Sequence, residues 1–186
     1  MEAIYSEDKC GVTLEVRYDE YVAESPRDWD NLGTMLCVDH RNYTLGDEET
    51  NDFSIIDRED VISLPVYMYD HSGVVLNTTG FSCPWDSGQV GYIYVTYEDI
   101  RENYGCKYVT KAIREKVLDA LFGEVSLYSS YLNGETYGYV IKDKDDILDS
   151  CWGFVGDMDS CKESGLEQLE YFAVEKFNGS AMLQGA

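Results

Sequence analysis

The chain reads as α+β, with a mainly antiparallel sheet and two longer helices in the C-terminal half. Three observations carry that reading: short apolar and aromatic runs with period-two alternation up to about residue 96, two later stretches with helical periodicity, and no regular strand–helix rhythm of the kind that builds a parallel sheet. With 186 residues, 44% of them hydrophobic, and 16 Tyr, 6 Phe and 3 Trp, there is material for a packed core. One domain is expected over residues 1–178, with 1–24 a variable strand region and 179–186 a frayed tail. Two small lobes sharing a sheet are the alternative.

Residues 11–18 alternate, with Val12, Leu14 and Val16 on one face, and predict a first strand. Ser25 and Pro26 stop it and open a short helical turn over 26–33, with Ser25 as cap, Pro26 at the first helical position and Gly33 at the end. A short strand over 34–38 follows. Residues 39–60 are polar and acidic, and an irregular solvent-facing segment is expected there, broken by a short helix near 58–63. Residues 64–69 and 73–78 predict a hairpin turned by Asp70-His71-Ser72-Gly73, and 91–96 a return strand. A short helix over 97–104 precedes the longest one, over 109–132, where Ile113, Val117, Leu121, Val125, Tyr128 and Leu132 recur at helical spacing. Asn133-Gly134 ends it. A second hairpin is expected from 136–143 and 148–155, joined by Lys144-Asp145-Asp146. A last helix over 159–177 turns Leu166, Leu169, Ala173 and Phe177 inward.

The stretch 67–95, YMYDHSGVVLNTTGFSCPWDSGQVGYIYV, places a dense polar loop over 81–91 between two strands. Pro84 fixes a backbone angle and removes a donor, while Gly88 and Gly91 permit conformations other residues resist, so the loop is built to one geometry. It is either a structural corner or a site. Tyr67, Tyr69, Tyr92, Tyr94, Tyr97, Tyr137 and Tyr139 have same-face spacing, which suits a half-buried sheet and equally an interface. Of Trp29, Trp85 and Trp152, Trp85 beside Pro84 reads as an exposed anchor and the others as core.

Charge is the strongest global signal. Asp and Glu number 36 against 14 Lys and Arg, for a net charge of −22. Residues 1–60 hold 17 acids and 5 bases, 61–132 hold 8 and 5, and 133–186 hold 11 and 4, so the flanks carry the excess. The apolar fraction excludes disorder as the reason. Such a surface repels nucleic acid and favours basic partners. Adaptation to salt or simple solubility explains it as well as mimicry of a phosphate backbone does. The bases Arg101, Lys107, Lys111, Arg114 and Lys116 cluster before and within the longest helix, as a solvated face or as a grip for a partner.

Six cysteines at 10, 37, 83, 106, 151 and 161 include no C-x-x-C pair, so neither a zinc site nor a cofactor is expected. No window approaches a membrane span and no signal peptide is read, which predicts a cytosolic protein with reduced thiols. Only two histidines exist, His40 and His71, each beside an aspartate. His71 with Asp70 and Asp86, and Cys83 or Ser87 as nucleophile, is the one candidate catalytic set; a satisfied turn histidine is the alternative. Asp28, Asp30, Asp70 and Asp86 have the chemistry for a hard divalent cation, but acids this frequent fall near one another by chance.

The segments PRDWDNLGTMLC at 26–37, HRNYTLGDE at 40–48, LPVYMYDHSG at 64–73, FSCPWDSGQVGYIYV at 81–95 and DSCWGFVG at 149–156 together resemble a widespread group of proteins of phages, plasmids and integrative elements. Some acidic mobile-element proteins of this size inhibit type II-A CRISPR systems, and the chain is similar to these anti-CRISPR proteins. The resemblance implies a Cas9 inhibitor acting in the cytoplasm of a bacterial host, without cofactor, and carries no catalytic residue onto this sequence. Cas9-type effectors hold guide and target in basic channels and read the PAM with arginines, surfaces for which an acidic protein can compete. On that implication Asp47, Glu48, Glu49, Asp52, Asp57, Glu59, Asp60, Asp143, Asp145 and Asp146 meet the effector or its guide-RNA complex, and Trp85 anchors the contact. Two alternatives stay open: a nuclease or hydrolase acting on guide RNA or another host nucleic acid through His71, Asp70, Asp86 and Cys83, and an inhibitor of another basic defence protein such as a restriction enzyme.

Overall fold

A computed structural model of the chain describes residues 2–21, 24–38, 43–71 and 73–184. In chain order the elements are β1 (Tyr5–Lys9), β2 (Val12–Tyr18), β3 (Thr34–Cys37), β4 (Glu48–Glu49), β5 (Val61–Asp70), β6 (Val74–Asn77), β7 (Ser87–Thr96), α1 (Tyr97–Asn103), α2 (Lys111–Leu132), β8 (Thr136–Asp143), β9 (Asp146–Val155) and α3 (Met158–Gln184). Turns of 3₁₀ helix lie at Pro26–Asp28 and Ser54–Asp57. The fold is α+β, with every strand pair antiparallel except β3 with β4. The chain divides into two compact units: Glu24–Asn133, and a terminal unit of Met1–Ala23 with Gly134–Ala186. Each has its own sheet rather than a shared one.

In the 24–133 unit the strand order is β4-β3-β7-β5-β6. The apolar face of α2 forms as its spacing predicts, with Val117, Leu121, Val125 and Tyr128 buried against Ile62, Val66, Met68, Ile93 and Val95 of the sheet. Thr110 caps the helix by accepting from Ile113 N–H at 3.3 Å. Ser129, buried on that face, accepts the backbone N–H of Leu76 at 2.8 Å, so an edge-strand donor is satisfied by a helix side chain. The expected turn after Ser25 is a short 3₁₀ segment with a full capping box between Ser25 and Asp28.

Arg27, with only 5% of its side chain exposed, joins three parts of this unit. Its Nε and Nη2 donate to the two carboxylate oxygens of Asp47 at 2.9 and 2.6 Å, its Nη1 to Glu124 of α2 at 3.0 Å, and Nη2 also to Gly33 O at 2.6 Å. Asp47 in turn accepts from Met35 N–H at 2.7 Å, and Glu124 from Leu32 N–H at 2.8 Å. Burial alone would lower the guanidinium's pKa; hydrogen bonding and charge from Asp47 and Glu124 outweigh it and raise it.

In the terminal unit the order is β1-β2-β8-β9, and α3 covers one face. Val12, Leu14, Val16, Tyr139, Ile141, Cys161 and Leu169 form its core. Gly165 of α3 lies where an added Cβ would come within 2.6 Å of the Leu14 side chain and 3.3 Å of Tyr139 Cβ, so the glycine lets helix and sheet approach closely.

Several expectations are corrected. No helix forms over 58–63: Val61 and Ile62 already pair with Thr96 and Val95, and the helical turn sits earlier, where Asp52 accepts from Ser54 N–H at 2.9 Å. The return strand begins at Ser87 rather than 91. β1 was not expected as a separate strand; it pairs with β2 through Cys10 and Gly11, both at positive φ, as a two-residue hairpin turn requires. Phe177 is 66% exposed instead of inward, and α3 continues through Gln184 across most of the expected frayed tail, residues 185 and 186 lying outside the described residues.

Replacing Arg27 by Ala leaves two part-buried carboxylates without their shared cation and is expected to cost about 3–5 kcal/mol. Urea denaturation reads this as a lowered midpoint, whereas Arg58→Ala, whose partner Asp60 is half exposed, is expected to leave the midpoint nearly unchanged.

Candidate functional site

The 24–133 unit gathers the sequence-predicted candidates at one corner, where β5 ends and β7 begins. Asp70 closes β5, and its N–H donates to Asp86 O at 2.9 Å, which fixes the loop against the strand end. Within the loop the Ser87 hydroxyl donates to Cys83 O, and Cys83 Sγ donates to Asp86 Oδ2 at 3.6 Å. His71 Nδ1 lies 3.6 Å from the same Asp86 oxygen. Tyr69 carries His71 on one ring contact, with centroids 6.1 Å apart, and Phe81 on another at 5.6 Å. His71, Asp70, Asp86 and Cys83 therefore meet, as the enzymatic reading requires. His40, with Asp39 and Arg41, lies outside the described residues, as does Ser72.

The order of contacts limits what this corner can do. A thiol nucleophile needs an imidazole as its base and a carboxylate behind the imidazole. Here the carboxylate stands in the middle and receives the thiol. His71 is 65% exposed, its ring stacked on Tyr69 at the surface rather than enclosed in a dry substrate pocket.

Beside these residues is a cleft of about 140 Å³, lined by Met68, Asp70, Trp85, Asp86, Ser87 and Gln89 among others. Trp85 at its mouth is 90% exposed. Farther along β7, Gly91 pairs with Cys37 of β3; a Cβ there would lie 1.9 Å from Leu36 O, so this glycine of the loop motif serves the close approach of β3 to β7. Much of FSCPWDSGQVG is thus explained by the corner itself. Trp85 is not, and Gln89, which donates its Nε2 to Gly91 O at 3.3 Å, also lines the cleft.

The acidic candidates divide. Asp47 is engaged by Arg27 and Met35 N–H, so its carboxylate is tied into the scaffold. Asp143 pairs with Lys176 at 2.7 Å, and Asp60 with Arg58 through two hydrogen bonds of 2.9 and 2.6 Å. Hydrogen bonds from the Ser54 backbone and side chain lower the Asp52 pKa, and the Arg58 hydrogen bonds lower that of Asp60. Glu48, Glu49, Asp57, Glu59, Asp145 and Asp146 are exposed, and among the described residues none of them is in an ion pair. The first four belong to the 24–133 unit and the last two to the terminal unit.

The remaining candidates are mostly scaffold. Tyr67, Tyr69, Tyr92, Tyr94, Tyr97 and Tyr137 are half-buried and Tyr139 is buried. Trp152 lies over Gly138, where a Cβ would stand 2.1 Å from its ring, yet it is 42% exposed; Trp29 is 44% exposed rather than core. Sequence reading missed Arg27 and Glu124 as organisers and Gln89 and Met68 as cleft residues. Arg27 and Gln89 stand inside quoted motifs, so the signal was present without its meaning.

Among the described residues no group of three or more His, Cys, Asp or Glu side chains is placed to hold a metal ion. Among the same residues no helix is long and apolar enough to cross a membrane. Compared with known proteins, the chain matches no family model, no curated protein and no solved structure.

All six thiols are free. Burial, with the nearby Asp47 charge, pushes the Cys37 thiol up to about 12, and burial, with Cys151 and Asp157, pushes Cys161 up to about 11. Maleimide labelling of the folded chain at pH 8 followed by mass mapping is expected to modify Cys10 and Cys151 and to spare Cys37 and Cys161 until denaturant is added. Cys83 is expected to react no faster than Cys10; a rate tenfold higher would mark it as an activated nucleophile.

Proposed function

We propose that the chain is a non-enzymatic inhibitor that binds a basic, nucleic-acid-handling effector, of which a Cas9-type nuclease or its guide-RNA complex is the first candidate. The observation that carries this reading is how the charges are used. Lys9, Arg17, Arg27, Arg58, Lys111, Lys142 and Lys176 pair with the chain's own carboxylates, while Glu48, Glu49, Asp57, Glu59, Asp145 and Asp146 stand exposed and, among the described residues, in no ion pair. The 24–133 unit holds 19 acids and 8 bases and the terminal unit 17 and 6, so each carries −11.

A folded surface of that charge attracts a basic channel at long range and repels free nucleic acid. Association is therefore fast at low salt and slows as the screening length falls below about 10 Å above 0.1 M. The mobile-element resemblance of the motifs supports the same class of partner.

The gathering of His71, Asp86 and Cys83 favours a second reading, hydrolysis of a host nucleic acid. Repulsion of a phosphate backbone by the surrounding carboxylates, and a thiol bonded to Asp86, argue against it.

Titration of the full chain into Cas9-guide cleavage of target DNA at two salt concentrations, with the guide RNA run on a denaturing gel afterwards, separates the two. The expected result is inhibition that saturates near one chain per effector, weakens with salt and leaves the RNA intact. Glu48→Lys with Glu49→Lys is expected to raise the half-inhibitory concentration about tenfold at low salt, and His71→Ala to leave it unchanged. Shortened RNA at substoichiometric protein, abolished by His71→Ala, would sink the inhibitor reading.

A further inference from the structure

The cleft at the β5–β7 corner has a chemistry that net charge does not explain. Its volume of about 140 Å³ is less than half the lower end of the 300–1,000 Å³ typical of small-molecule sites, and suits one long side chain. Asp70 and Asp86 line it, Asp86 Oδ2 accepting from Cys83 Sγ and lying 3.6 Å from His71 Nδ1 while its Oδ1 has no such contact among the described residues; Gln89 and Ser87 add polar groups, and Met68 and Val90 apolar ones. No Lys or Arg lines it. At its mouth the indole of Trp85 is 90% exposed, on a loop held in one shape by the bonds from Asp70 N–H to Asp86 O and from Ser87 to Cys83 O.

A rigid loop that presents a bare indole beside two carboxylates is arranged for a cation with a flat face. Carboxylates accept the N–H fork of a guanidinium, and a tryptophan ring takes its plane; an ammonium uses either contact less well. A phosphate is excluded by the same two carboxylates, and a metal ion lacks a third ligand among the described residues.

We infer that this cleft receives an arginine side chain from the surface of the protein partner, with Trp85 stacked on the guanidinium and Asp70 and Asp86 taking its N–H groups. The inference rests on the reading of the chain as a binder of a basic effector, and adds to it a fixed point of contact. The exposed acids set the rate of encounter, while the arginine seated at Trp85 sets the lifetime of the complex.

The first test uses N-acetyl-arginine methylamide as probe against the ¹⁵N-labelled full chain. The indole signals of Trp29, Trp85 and Trp152 are assigned with a Trp85→Phe variant. Saturating shifts of the Trp85 indole and the Gln89 amide, with the Trp29 and Trp152 indoles unmoved, are expected. The citrulline and lysine analogues are expected to bind at least fivefold more weakly, and Asp86→Asn to weaken the arginine probe by a similar factor. Equal shifts at all three indoles, or equal binding of the neutral citrulline probe, overturn the inference.

The second test puts Trp85→Ala, which leaves the net charge untouched and removes an exposed ring, into the effector titration. At least a tenfold loss of inhibition, arising in the dissociation rate, is expected. Salt-dependent inhibition unchanged by Trp85→Ala overturns the cleft and leaves the acidic-surface reading standing. Saturable arginine binding at Trp85 without any effector inhibition supports the cleft and overturns the effector reading.

Discussion

The 24–133 unit depends on one buried cation. Removing a guanidinium from water is costly, and it is tolerated only where every donor meets an acceptor of good geometry. Arg27 meets that condition with two carboxylates and a carbonyl, and those carboxylates in turn hold backbone N–H groups at residues 32, 33 and 35. The turn after Ser25, the approach to β4 and the middle of α2 are thereby fixed to a common point. Two of the quoted motifs, PRDWDNLG and the LGDE of the next, are the two sides of this pair.

That constraint changes how the acidic character is read. Asp47 and Glu124 are internal counter-ions and contribute little outward field; Asp143 is likewise tied to Lys176. A count of acids along the chain cannot separate these from Glu48 and Glu49, one and two positions away from Asp47, because their roles differ only by which way the backbone turns after Gly46, a residue at φ 73°. The β5–β7 corner divides in the same manner. Ser87 and the backbone of Asp86 serve the bend and Gly91 the approach of β3, while Trp85 at the cleft stands in solvent.

Legibility followed the physical origin of each signal. Strands with one buried face, such as β2 with Val12, Leu14 and Val16, and the helix α2 with its four-residue recurrence, were visible because burial imposes a period. β1 was not, because Tyr5–Lys9 lies at a sheet edge with almost every side chain in solvent and thus no period to read. The helix expected near 58–63 does not form because pairing of Val61 and Ile62 to β7 decides the matter at long range. The meeting of His71, Asp86 and Cys83 was foreseeable from the hairpin, but the central position of the carboxylate was not, since it depends on side-chain directions within an irregular loop.

The terminal unit is built from the two ends of the chain with 110 residues of the other unit between them. β2 finds its partner β8 only in a register that joins Thr13 to Lys142. At roughly 5–20 residues per second of synthesis, the first hairpin waits on the order of 6–25 s for that strand. An isolated two-stranded hairpin is marginal in water, and this one carries Val12, Leu14 and Val16 on a single face. The 24–133 unit has all its strands and α2 before β8 emerges, so assembly on the ribosome is ordered: the inserted unit closes first, and the oldest part of the polypeptide is the last to be buried.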